Sequence, residues 1–267
     1  EYIYDAKTPF VIYFISVGDS ENQGDAILIR KGDLTVLIDA GPEKNVGNVV
    51  NFLNSKGVDT INILVSTVVD PEHYGGMNKV VDNFNVQEFW WSGNTFKEEN
   101  YTKLINKIKQ KGITDRLISR GEEYDLNGLK AKILNPSQPQ TFTDVSNNAI
   151  AMKLTQNNFC ATLTSDMLFG AQAEVLNLND PKCSILQIPY HGLGKGTAQI
   201  DFLLLKVNPK DAIISGGIED PSPGGKGSRY SVLEKMRVKG IKVYQNYVNG
   251  TVRITSDAIS YQIDYVK

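Results

Sequence analysis

The sequence predicts an α/β fold built as one domain over residues 1–267. Short apolar segments rich in β-branched residues, such as Thr35-Val36-Leu37-Ile38 and Ile61 to Thr67, alternate with segments of helical periodicity. No low-complexity linker divides the two halves, so both belong to one sandwich of mixed sheets with helices outside. At 267 residues the chain can bury about three quarters of its unfolded surface, and 41% hydrophobic residues supply a sizeable core.

Phe10 to Gly18 and Gln23 to Ile29 read as two strands of a hairpin across the polar Asp19-Ser20-Glu21-Asn22, and Thr35 to Asp39 is a third strand stopped by Gly41-Pro42. Val46, Val49, Val50 and Leu53 recur at helical spacing, with Gly57 as the C-terminal stop. A strand over Ile61 to Thr67, a helix over Met77 to Phe84 and a strand over Val86 to Trp91 follow. Tyr101 to Lys111 is a charged helix with Leu104, Ile105 and Ile108 on one face, and Leu129 to Leu134 is a strand. In the second half, 148–155 and 159–164 form a hairpin, with strands at 184–189, 211–215 and 241–244 between helices at 171–178, 202–207 and 231–239. Val252 to Thr255 and Ala258 to Ile263 close the chain as a hairpin.

Composition narrows the function classes. A net charge of −2 gives no global attraction to phosphate backbones, so general nucleic-acid binding is not implied. No run approaches the ~20 apolar residues that span a bilayer. Cys160 and Cys183 each sit in an apolar run; they read as separate buried thiols, with a disulfide between neighbouring strands as the alternative. The chain begins at Glu1 without a methionine. If a signal peptide has been removed, the expected location is extracellular or cell-surface; otherwise it is cytoplasmic.

The chemistry concentrates in Ile63-Leu64-Val65-Ser66-Thr67-Val68-Val69-Asp70-Pro71-Glu72-His73-Tyr74-Gly75-Gly76-Met77, a strand running into a loop with carboxylates, a histidine and a Gly pair. This stretch resembles the metal loop of the metallo-β-lactamase superfamily, Thr-His-x-His-x-Asp-His-x-Gly-Gly. Thr67, His73, Gly75 and Gly76 fit, Glu72 stands where Asp is usual, and Val68 and Asp70 replace histidines. The opening strands, with Gln23-Gly24-Asp25-Ala26 and Leu37-Ile38-Asp39-Ala40-Gly41, resemble the ComEC-like branch of that superfamily, and Asp19 to Asn22 resembles an insertion in it. Leu163-Thr164-Ser165-Asp166 is similar to the strand end that supplies the family's bridging aspartate, and Ile188-Pro189-Tyr190-His191-Gly192 to its His-His-Gly element. Tyr190 replaces the first of those histidines.

The resemblance implies a four-layer αβ/βα sandwich and a metal-dependent hydrolase acting on a phosphodiester or related ester, small or polymeric, through a metal-activated water. The two histidines of the chain both fall at ligand positions. Glu72, His73, Asp166 and His191 form the implied ligand set for one divalent metal, zinc first and manganese or iron as alternatives, with Asp70 as catalytic base. Loss of the other histidines leaves at most one metal well ligated. The alternative is a metal-free, inactive relative serving as a ligand-binding or protein-interaction module. Gly216-Gly217 with the loop Pro221 to Arg229 is a candidate anion cradle, or a plain Gly/Pro loop. Trp90 and Trp91 are candidates to stack on a ligand or to face the core.

Overall fold

A computed structural model describes residues 9–94, 98–178, 181–218 and 228–266. Strands β1 (Phe10–Phe14), β2 (Ile27–Lys31) and β3 (Leu34–Ile38) lead through helix α1 (Val46–Ser55) to β4 (Thr60–Ser66). Two helices, α2 (Pro71–Tyr74) and α3 (Met77–Asn83), precede β5 (Asn85–Trp91), α4 (Glu99–Gln110) and β6 (Thr114–Leu117). The chain then enters a second sheet with β7 (Glu123–Leu126), β8 (Leu129–Asn135), β9 (Ala151–Gln156) and β10 (Phe159–Leu163). It continues through α5 (Phe169–Leu176), β11 (Ile185–Gln187), α6 (Ile200–Val207), β12 (Asp211–Ile214), α7 (Ser228–Val238) and β13 (Lys242–Gln245). Helix α8 (Asn246–Asn249) and strands β14 (Thr251–Ser256) and β15 (Tyr261–Val266) complete it.

The first sheet runs β15-β14-β1-β2-β3-β4-β5-β6 and the second β13-β12-β11-β10-β9-β8-β7. Each is antiparallel on one side and parallel on the other; β3, β4, β5 and β6 are parallel, as are β10, β11, β12 and β13. Period-2 alternation divides the faces. Ile12, Ile29, Val36 and Ile63 of the first sheet meet Ile133, Met152, Leu154 and Phe159 of the second in a shared core. The opposite faces carry the helices, with α1, α3 and α4 on the first sheet and α5, α6 and α7 on the second.

The predicted α/β sandwich and most element positions agree with this arrangement, and the differences have physical reasons. The connection between β1 and β2 covers 15–26 rather than a tight turn and folds over the sheet end. The closing hairpin does not stay with the second half: β14 pairs antiparallel with β1, Val252 opposite Phe14, and so extends the first sheet. Strand β6 lacks the apolar alternation that marks a strand, because it is an exposed edge, and β7 alternates over only four residues, with Leu126 buried. Cys160 and Cys183 are not separate thiols. Parallel pairing of β10 with β11 sets Ala161 opposite Ile185, which leaves the two cysteine Cα atoms 5.2 Å apart and joined by a disulfide. Trp90 faces the core, donating its Nε1–H to Glu88, and Trp91 packs partly buried on the other face.

Candidate metal centre

Five strand ends converge at one edge of the sandwich. Asp39 follows β3, Thr67 follows β4, Ser165 and Asp166 follow β10, Tyr190 and His191 follow β11, and Ser215 follows β12. Parallel strands end with their chains leaving on the same side, so such edges are where loops of different origin meet. Helix α2 adds Glu72 and His73. Its first turn is set by Asp70, whose Oδ1 accepts the Glu72 backbone N–H at 2.8 Å, and by Pro71 at the first helical position.

His73, Asp166 and His191 are all buried, and one donor atom of each lies within 4.8 Å of the others. His73 Nε2 is 3.2 Å and His191 Nε2 is 3.4 Å from Asp166 Oδ1. None of these three atoms has a hydrogen-bond partner. The other ring nitrogens are committed. His73 Nδ1 donates to Asp39 Oδ2 at 2.8 Å, and His191 Nδ1 donates to the Ser215 carbonyl at 2.9 Å. Both imidazoles therefore turn an unprotonated Nε2 toward the same carboxylate oxygen when neutral, which is the tautomer a metal ligand needs. Buried polar atoms without partners are rare, and three aimed at one point fit a divalent cation. Glu72 stands further out, with Oε2 3.8 Å from His191 Nε2 and Oε1 accepting the Gln23 N–H at 3.0 Å.

Burial opposes a charge on His73, yet the carboxylates of Asp166 and Asp39 outweigh it and raise the imidazole well above its ordinary value. Burial likewise pushes Asp166 up, and the two histidines more than reverse it, so Asp166 is lowered. A proton on His73 thus balances these carboxylates where a cation would. Tyr190 is raised by burial and by the carboxylates of Asp166, Asp70, Glu72 and Asp144, so its phenol stays protonated.

Two buried carboxylates were not singled out by the sequence. Asp39 Oδ1 accepts the Thr67 N–H at 2.9 Å, and Oδ2 accepts the Thr67 hydroxyl at 2.6 Å as well as His73 Nδ1. Asp25 Oδ2 accepts Gln187 Nε2 at 2.8 Å, and burial raises its pKa despite the two histidines nearby. Asp25, Asp39 and His73 form a second group of potential donors. The 2.8 Å contact of Asp39 is a hydrogen bond to the far nitrogen of His73, which assigns Asp39 to orientation. Asp39 directly follows the apolar β3, and a carboxylate closing a buried strand was the available signal; Asp25 precedes β2 and carried none.

Of the predicted site residues, His73, Asp166 and His191 come together, Glu72 borders them, and Asp70 caps α2. Val68 is buried without a donor atom. Arg229, from the predicted anion cradle, is buried and fully engaged. It donates to the His191 carbonyl, the Gly217 carbonyl and Gln23 Oε1, and lies over the Tyr247 ring at 4.5 Å. Residues 221–227 of that cradle lie outside the described residues. A Cβ on Gly18 would collide with the backbone of Gly216 and Gly217, so the β1–β2 connection and the loop after β12 meet only because Gly18 lacks one.

Two curated relatives match most of the chain: ComE operon protein 3 of Bacillus subtilis, 23% identical over 89% of this chain, and Recombination protein 2 of Haemophilus influenzae, 25% identical over 87%. The chain spans about a third of those relatives, 31% and 27% of their lengths. Among solved structures, the metallo-β-lactamase fold protein YhfI from Bacillus subtilis aligns with a TM-score of 0.60 at 10% identity, over 91% of this chain and 98% of its own. The chain is a metallo-β-lactamase-fold protein with ComEC-like relatives. A diphosphatase from the PhnP family shares the same fold with a TM-score of 0.55 at 11% identity, over 91% of this chain and 96% of its own. No protein-family model matches the chain. Among the described residues of this metallo-β-lactamase-fold chain, no helix is long and apolar enough to cross a membrane.

Proposed function

We propose that the chain is a metal-dependent hydrolase of a phosphodiester or related ester, with one divalent cation held by His73, Asp166, His191 and Glu72. The observation that carries this reading is the convergence of three buried, partnerless donor atoms, His73 Nε2, Asp166 Oδ1 and His191 Nε2. Two imidazoles and two carboxylates suit zinc, with manganese or iron as alternatives, and together neutralise a divalent charge. Such a cation lowers the pKa of water and polarises a phosphoryl oxygen.

The chain's own residues supply the rest. Asp39 and the Ser215 carbonyl fix the imidazoles as acceptors at Nε2. The carboxylate oxygen of Asp70 that does not cap α2 is the candidate proton acceptor for an attacking water. Tyr190, kept protonated by the surrounding carboxylates, is the candidate donor to the departing oxygen. With no histidine at Val68 or Tyr190 to build a second metal position, turnover is expected to be slow. The Cys160–Cys183 disulfide supports an oxidising compartment outside the cytosol.

Metal analysis tests this. Protein purified without chelator is expected to hold about one equivalent per chain, lost in His191→Ala, and to hydrolyse bis(p-nitrophenyl) phosphate in a metal-dependent way. Below about a tenth of an equivalent, with no gain in hydrolysis when zinc, manganese or iron is added, the chain is instead a metal-free binding module.

A further inference from the structure

Glu72 is the odd member of the candidate ligand set. His73, Asp166 and His191 are buried, whereas the Glu72 side chain is 36% exposed. A glutamate this exposed ordinarily samples several rotamers, and holding it in one costs conformational entropy. The hold comes from outside its own helix. Gln23 lies 49 positions earlier, and its backbone N–H donates to Glu72 Oε1 at 3.0 Å. Two residues on, the Asp25 N–H donates to the Glu72 carbonyl at 3.3 Å. A backbone N–H on a carboxylate is a charge-assisted bond, roughly twice as strong as a neutral one. With Oε1 occupied in this way, Oε2 is the oxygen turned to the site, 3.8 Å from His191 Nε2.

The donor is itself fixed from two directions. Before it in the chain, Asp19 Oδ1 accepts the Glu21 and Asn22 N–H groups at 2.8 and 2.9 Å, which folds the segment into a turn. Asn45, at the start of α1, donates through Nδ2 to Asp19 Oδ2 and to the Val17 carbonyl and so anchors that turn to the first sheet's helix layer. At the side chain, Gln23 Oε1 accepts the Gly217 N–H at 2.8 Å and Arg229 Nη2 at 2.9 Å. Gly217 comes this close because it lacks a Cβ, which would lie 2.2 Å from the Asn22 carbonyl oxygen. Asp19 to Asn22 is the stretch that resembles an insertion, and Glu72 stands where the resembled motif has aspartate. The two departures meet in one hydrogen bond.

We propose that Gln23 is a positioning residue for the candidate metal centre: its N–H holds the Glu72 carboxylate so that Oε2 joins His73, Asp166 and His191 in the donor set. The Asp19 turn, Gly217 and Arg229 hold Gln23 in place for that role. This rests on the metal reading above and adds to it how a longer, exposed carboxylate serves in place of a shorter one. His191 keeps its own tether in any Gln23 variant, because Arg229 Nε donates to the His191 carbonyl at 2.9 Å independently of Gln23. An effect of Gln23 on metal affinity therefore runs through Glu72.

A double-mutant cycle on the full chain tests the proposal, with zinc affinity read by competition with a chromophoric chelator. Gln23→Ala removes the acceptor for Gly217 and Arg229, so the N–H is no longer held on Glu72, and zinc binding is expected to weaken about tenfold. In a Glu72→Ala background, itself weaker than wild type, adding Gln23→Ala is expected to change affinity by less than about twofold. Gln23→Glu, whose carboxylate accepts from both donors, is expected to bind zinc at least as tightly as wild type. In metal-free protein, amide hydrogen exchange at Gln23 is expected to be about tenfold faster in Glu72→Ala than in wild type. That comparison decides the matter if Gln23→Ala does not fold. Equal losses from Gln23→Ala in the two backgrounds would place its effect on the loop rather than on Glu72 and overturn the proposal. Full zinc affinity in Gln23→Ala, or unchanged exchange at Gln23, overturns it as well, while the metal reading stands. Absence of zinc binding by the wild-type chain overturns both, so the two failures are distinguishable.

Discussion

Two buried aspartates next to the candidate metal centre are expected to behave oppositely on conversion to asparagine. Asp39 accepts three hydrogen bonds, from the Thr67 N–H and hydroxyl and from His73 Nδ1. Asparagine has one carbonyl and one NH2 group, so it cannot accept on both sides. With its amide toward His73, it favours the tautomer protonated at Nε2, which removes the lone pair directed at Asp166. With its amide toward Thr67, it sets donor against donor at the Thr67 N–H. Loss of such an orienting partner typically lowers metal affinity by about 10–100-fold, or roughly 1.4–2.8 kcal/mol. Asp25 differs, because burial already favours its protonated form and asparagine is a neutral replacement that can still accept from Gln187 Nε2. Asp25→Asn is expected to change affinity by less than about threefold. Competition with a chromophoric zinc chelator at pH 7 gives both constants, with circular dichroism to verify folding. Wild-type zinc affinity in Asp39→Asn, or an equal loss in Asp25→Asn, would refute the orientation argument.

The remaining expectations concern stability. Phe159 is fully buried, edge-on to Phe10 with ring centroids 4.7 Å apart, so Phe159→Ala should cost about 3–5 kcal/mol by denaturant unfolding. The disulfide closes a loop with a sequence separation of 23, and reducing it, or replacing both cysteines by serine, should lower stability by about 3 kcal/mol in the same assay. Asp19 is held well below the usual carboxylate range by Asn45 Nδ2 and by the Glu21 and Asn22 N–H groups. Its folded pKa is depressed, so its contribution is present above the unfolded value near 3.9 and disappears as pH falls through the folded one. Asp19→Asn should therefore be less stable than wild type at pH 7, with the gap narrowing below about pH 4.

Much of the fold was legible because strand and helix periods are written in apolar spacing, as in Thr35 to Ile38 and Tyr101 to Ile108. The candidate site was legible through residue type at strand ends: His73, Asp166 and His191 meet although 118 positions separate the first from the last. Other features depend on pairing, which spacing along the chain does not encode. Cys160 and Cys183 join because β10 and β11 are parallel neighbours, and the last hairpin returns to β1 because that strand had an open edge. Asp39 escaped notice for a related reason. Its function depends on facing His73 across the sheet end, and by sequence it is only a polar residue closing an apolar run.

Backbone strain links these features. Asp39, Ser165, Tyr190 and His191 all have positive φ, between 48° and 59°, at the same sheet edge. Such conformations disfavour non-glycine residues by roughly 1–2 kcal/mol each, so the surrounding contacts must hold them. At Ser165 those contacts can be identified. Its hydroxyl pairs with Thr67 Oγ1 at 2.7 Å, and because the Thr67 hydroxyl donates to Asp39, Ser165 is the donor in that pair. Ser165→Gly removes the strain and the hydrogen bond together, each on the order of 1 kcal/mol, so the unfolding free energy should stay within about 1 kcal/mol of wild type. Zinc affinity should nevertheless fall, because Thr67 and Asp39 lose the partner that completes the chain of donors behind His73. A glycine variant with unchanged stability and unchanged zinc affinity would mean that the serine is tolerated at this strained position without helping to hold the site.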